Sequence, residues 1–251
     1  MSVKLEICAG GIDDAIAAVK GNADRIELCS ALSEGGLTPS AAAVGMAAEL
    51  SIPVNVLIRP RSGDFIYSAA EAEMMERDIR FALESGVSGV VLGALTADGD
   101  VDIPLCRRLV DVAREVNPDA DLTFHRAFDL VASPFDAIEK IVELGFHRVL
   151  TSGQASTALK GAALIRELKE HVGSRILLMA GAGVNPANTA DIICLSHADE
   201  LHASARSPLS SQMVSYRRGV CMGSSDAENG SRLITDASIV KSIKNAIDCL
   251  S

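Results

Sequence analysis

The chain has no tryptophan, and its two tyrosines and six phenylalanines make up only 3% of 251 residues. So few rings disfavour an oligonucleotide-stacking surface. Basic runs are missing too. None exceeds the pairs Arg107-Arg108 and Arg217-Arg218, while the net charge is −10 and the pI is near 5.0. These figures argue against nucleic acid or an anionic membrane as a partner. No stretch of about 18 apolar residues is available to span a bilayer, and the opening "MSVKLEICAGG" lacks the apolar core of a signal peptide. A soluble cytosolic protein is the expected class. The six cysteines, at 8, 29, 106, 194, 221 and 249, form neither a CxxC pair nor a zinc-finger spacing. In that compartment they are reduced thiols, and Cys106, Cys194 and Cys249 read as small buried hydrophobes.

What is present is a regular alternation in a chain that is 48% apolar. Strand patterns fall at 4–8, 25–29, 54–59, 89–93, 121–126, 147–151, 175–180 and 200–204. Helical patterns fall at 12–20, 40–50, 69–85, 103–116, 134–144, 161–172, 187–196 and 236–249. Thr38-Pro39-Ser40, Ser133-Pro134 and Asn185-Pro186 mark helix starts, and Gly21, Gly86 and Gly145 mark helix ends. Eight βα units without a break in composition predict a single α/β domain over 1–251, a closed (β/α)₈ barrel, with a doubly wound open sheet as the alternative. The first turn, "CAGGID", is not GxGxxG, so no nucleotide cofactor is expected. One long loop, 207–235, separates strand eight from the last helix; it reads as a cover for the barrel mouth or a subunit contact, with Met213, Val214 and Tyr216 as its apolar residues.

Barrel chemistry sits where strands end, and these ends are polar. Strands one and two carry "LEIC" and "IELC", so Glu6 shares a face with Cys8, and Glu27 with Cys29. Further along, "IRPRSGDF" supplies Arg59, Arg61 and Asp64, "TFHRAFD" supplies His125, Arg126 and Asp129, and "LHASAR" supplies His202 and Ser204. Inward glutamates need partners, and Arg59, Arg61 and Arg126 are the cations at hand. Small residues in "TSGQAS" and around Gly181 and Gly183 suit an anion cradle. No lysine stands at a strand's carboxyl end, which disfavours a Schiff-base aldolase.

These stretches, with "EGGLTPS", "RVLTSGQ" and "YRRG", resemble the copper homeostasis protein CutC family from residue 5 to about 219. The family pattern carries glycine where this chain has Ser62, a change in loop freedom that leaves Arg61 and Asp64 in place. The resemblance implies a TIM barrel, a cytoplasmic location, a homo-oligomer (dimer or tetramer) and Cu(I) held by Cys8 and Cys29. Soft thiolates select Cu(I), and neighbouring strands are about 4.8 Å apart, close enough for two inward thiols to share an ion. The charged residues point to a second reading, an enzyme for a small anionic or sugar-like molecule. Glu6, Glu27 and His125 would then serve as acid or base, and the arginines, Asp64, Asp129, His202, Ser204 and the 181–183 loop would serve in binding.

Overall fold

A computed structural model describes residues 3–215 and 231–250. Eight parallel strands close into a barrel: β1 Lys4–Ala9, β2 Arg25–Leu28, β3 Val54–Leu57, β4 Gly89–Leu92, β5 Asp121–Phe124, β6 Arg148–Thr151, β7 Leu177–Gly181 and β8 Glu200–Ala203. Each strand pairs with the next in sequence, and β8 returns to β1. The helices are α1 Ile12–Lys20, α2 Ala41–Ala48, α3 Ala69–Glu84, α4 Ile103–Val116, α5 Pro134–Glu143, α6 Ala162–Val172, α7 Thr189–Ser196 and α8 Ala237–Asp248. The closed barrel replaces the open-sheet alternative.

Strand alternation divides the interior in two. Leu5, Ile7, Ile26, Leu28, Val54 and Val56 point outward and pack on helix stripes such as Met75, Ile79 and Ala82 of α3, forming the main core. On the inward face Cys8, Cys29, Leu57 and Val91 form a small apolar cluster. Below it lies a charged layer. Arg25 bonds to both Glu6 and Glu200, and Arg148 donates to Glu200 at 3.0 Å, Asp121 at 2.6 Å and Thr123 at 2.9 Å. Asn55 also donates to Asp121, at 2.9 Å. Every charge in this layer has an opposite partner, the condition under which buried charges are tolerated.

Several local expectations are corrected. Gly86 and Gly145 do end helices in the left-handed region, with φ of 94° and 84°. Gly21 has φ of −85° and is required for another reason: a Cβ there would lie 2.4 Å from Val240 Cβ of α8. Asn185-Pro186 does not open α7, because Asn185 Oδ1 accepts from Ala187 N in a local turn and delays the helix to Thr189. Strand β5 stops at Phe124: the His125 amide still donates to Leu92 O at 3.1 Å, but its side chain caps the 3₁₀ turn Arg126–Leu130. Cys106 is buried but Cys194 and Cys249 are exposed, on or just beyond helices whose other faces pack inward. The described ends of the 207–235 loop are not irregular: β9 Arg206–Ser210 and β10 Ser231–Thr235 pair as an antiparallel ribbon. Tyr216, Arg217, Arg218 and Cys221 lie outside the described residues.

Candidate functional site

The strand ends and βα loops enclose a cavity of about 480 Å³ at the barrel's carboxyl-end mouth. Cys8, Glu27 and His202 stand at its base, Arg59, His125, Arg126 and Arg206 line its sides, and Leu57, Phe65, Leu150 and Val184 supply apolar wall. A larger hollow of about 640 Å³ lies alongside, between the start of α1 and the β9–β10 ribbon. Among the described residues, none of those lining it is a cysteine or a histidine.

Register explains the base. Cys8 of β1 lies opposite Glu27 of β2, while on the other side of β1 Glu6 lies opposite His202 of β8. Cys8 Sγ and Cys29 Sγ are 3.6 Å apart. Cys29 Sγ donates to Glu27 Oε2 at 3.3 Å. Cys8, Glu27 and His202 offer ligand atoms that all lie within 4.8 Å of one another. On its far side His202 Nδ1 donates to Glu6 Oε1 at 2.8 Å, and Glu6 is held in turn by Arg25. This is a carboxylate positioning a histidine that faces a thiol.

The charges follow from this packing. The hydrogen bond from Cys29 and the neighbouring His202 together outweigh burial and hold the Cys8 thiol well below its ordinary pKa. Burial, and then the Cys8 and Glu27 charges, push Cys29 up. Burial opposes charge on His202, but Glu27, Cys8 and Glu6 overcome it and raise its pKa. Burial raises Glu27, with the Cys8 charge adding to it. Burial also acts on Glu6, but Arg25 wins and keeps it ionised. The base therefore holds Cys8 toward its thiolate beside a His202 held toward its imidazolium, while Cys29 is held toward its protonated thiol.

His125 differs from His202. Its Nδ1 accepts from Ala127 N at 3.2 Å, and burial, reinforced by the Arg59 charge, lowers its pKa to about 3. It is a neutral ring whose proton sits on Nε2, and Nε2 has no hydrogen-bond partner among the described residues. Its ring packs on Phe65, with centroids 4.8 Å apart.

The structure brings Cys8, Cys29, Glu27, His125 and His202 together, with Arg59, Arg126, Asp129, Gly183 and Ser204 around the same cavity. Glu6 sits beneath it, behind His202. Gly181 is a packing position, where a Cβ would meet Leu150 Cδ1 at 2.6 Å. Arg61 and Asp64 are not in the cavity: Arg61 pairs with Asp64 at 3.0 Å and Glu71 at 2.6 Å on the outer rim. The glutamates' partners are also not those expected, since Glu6 takes Arg25 and Glu27 lies 3.6 Å from His202 Nε2. The "TSGQAS" loop is an anion cradle already filled from within. Asp129 accepts there from Thr151 Oγ1 at 2.6 Å and Ser152 N at 2.9 Å, and binds Arg126 at 2.7 Å. Arg25, Arg148 and Glu200 escaped sequence reasoning because each opens an apolar strand and reads as a terminal charge. The period of two from Arg25 to Glu27 was the available signal.

A model of the CutC family matches residues 3–207. The chain belongs to the CutC family. It is 47% identical over 245 residues to a family protein CutC from Chromobacterium violaceum, covering 97% of this chain and 98% of that one. It is 45% identical over 245 residues to the copper homeostasis protein cutC homolog of Homo sapiens, covering 97% and 88%. The crystal structure of a CutC protein from Streptococcus agalactiae superposes with a TM-score of 0.76 at 32% identity, covering 81% of this chain and 99% of that one. The TIM barrel is thus the fold shared with a CutC relative, and no helix among the described residues is long and apolar enough to cross a membrane.

Proposed function

We propose that this CutC protein binds one Cu(I) ion through Cys8 and Cys29 at the base of the cavity. The observation that carries the reading is the 3.6 Å separation of two inward thiols on adjacent strands, with His202 and Glu27 beside them. Thiolates are the donors that select Cu(I), and ligation releases the protons they carry. Because Cys8 is already held toward its thiolate, only Cys29 must give up a proton against resistance. The neutral alternative, Glu27, is a hard oxygen donor and suits Cu(I) less well than the sulfurs. Reduced thiols require a reducing compartment, which makes a cytoplasmic setting part of the proposal.

The test is a titration of reduced protein with Cu(I) against a competing chelator. A single ion per chain is expected, lost in the Cys8→Ser/Cys29→Ser double variant. Undiminished binding by that variant removes the assignment.

A further inference from the structure

The barrel's arginines fall into two kinds. Arg25 and Arg148 each face two carboxylates, Glu6 and Glu200 for the first, Glu200 and Asp121 for the second. Arg59 is as deeply placed, at 6% exposure, yet forms no ion pair among the described residues. Its guanidinium is held by neutral acceptors alone: Nη1 donates to the carbonyls of Glu34 and Gly36, and Nη2 to that of Gly63, each at 2.9 Å. Its Nε is buried without a partner among the described residues. A buried cation fixed by three carbonyls is well oriented, but its charge is uncompensated, an arrangement that proteins otherwise avoid.

A second observation lies across the same ring. The Arg59 guanidinium carbon is 5.0 Å from the Phe65 centroid, and His125, 4.8 Å from that centroid, brings a second unpartnered donor, Nε2. His125 is 4% exposed and faces the cavity. Arg126 lines the same cavity, fixed by Asp129 at 2.7 Å and Ser152 at 3.0 Å, and Arg206 adds a further charge without an ion pair among the described residues. Three guanidinium groups therefore line one cavity in a protein of net charge −10.

We propose that this cavity binds a small organic anion, its carboxylate or phosphate compensating Arg59 and reached also by Arg126 and Arg206. The ligand is organic because an inorganic ion would leave most of about 480 Å³ empty against Leu57, Phe65, Leu150 and Val184. It is small because that volume is at the lower end for ligand sites. Its other end lies over Cys8 and His202, so the cavity serves either to present a reacting molecule to those groups or to receive a metal as an anionic complex. The anion-binding groups are distinct from the copper donors within this one cavity, since none of Arg59, Arg126 and Arg206 is a copper donor.

The experiment is calorimetric titration of the full chain with malonate, citrate, ribose 5-phosphate and inorganic phosphate as probes. At least one organic probe is expected to bind, at least tenfold more tightly than inorganic phosphate. Arg59→Met should weaken it by tenfold or more. Because Arg59 also ties two loops together, Arg126→Met and Arg206→Met serve as variants that leave those ties intact, each expected to weaken binding severalfold. The Cys8→Ser/Cys29→Ser variant should keep the binding, which separates this site from the copper proposal. No binding by any organic probe at 10 mM overturns the inference, as does binding that all three arginine variants retain. Equal affinity for inorganic phosphate overturns the organic class.

Discussion

Replacing His125 with asparagine should flatten the acid side of the stability profile. The ring's pKa is depressed from 6.5 to about 3 in the folded protein, chiefly by burial and secondarily by Arg59. Above 6.5 neither state holds the proton, and stability is complete. Below it the unfolded chain takes up a proton that the buried ring refuses, so stability falls as the pH drops toward the folded value. Between about pH 7.5 and pH 5 the loss is RT ln(1 + 10^1.5), roughly 2 kcal/mol, and any folded pKa below about 4 yields the same figure. His202 works in the opposite direction, since its raised pKa contributes stability below 6.5 that is lost as pH rises. His147, lowered by burial, adds to the acid loss. Both are common to wild type and variant and cancel in the difference. Asparagine retains an acceptor for Ala127 N, which His125 Nδ1 now binds at 3.2 Å. The assay is urea unfolding of both proteins at several pH values across that range. The wild type should lose about 2 kcal/mol more than His125→Asn. Parallel profiles would refute the claim that a neutral, proton-refusing ring lines the cavity.

Further changes test the supports beneath and around the site. Arg25→Met leaves Glu6 and Glu200 buried without their shared cation and should cost about 3–5 kcal/mol in urea unfolding. Glu6→Gln removes the carboxylate that orients His202, and Cu(I) affinity should fall by about 10–100-fold in chelator competition if His202 completes the copper site. Gly93→Ala would bring a Cβ to 2.8 Å from His125 Nδ1 and 3.0 Å from Phe124 Cζ, so thermal unfolding should report a loss of about 1–3 kcal/mol. Ser68→Ala breaks a capping box in which Ser68 Oγ accepts from Glu71 N and Glu71 accepts from Ser68 N. About 1 kcal/mol should be lost, with no change in copper binding.

Local sequence determined the alternation of this chain and little beyond its first neighbours. The spacing of Leu5 and Ile7 against Glu6 and Cys8 already states that β1 has one oily and one polar face, because a strand repeats every two residues. The helical stripes were equally plain, and α1 and α4 begin and end where their patterns do. Strand ends were less visible: His125 looks like a continuation of β5, but it turns away because its ring nitrogen captures the amide of Ala127. What no local pattern could decide was which polar residue meets which. Glu6 and His202 are 196 residues apart and touch only because β8 closes on β1. The β1–β2 register gave Glu6 to Arg25, and Arg59 was left without a carboxylate among the described residues, although three arginines near the strand ends looked equally available. A buried charge takes its energy from the groups within a few ångströms, and in a barrel those groups are chosen by strand register and shear, which are properties of the closed sheet as a whole.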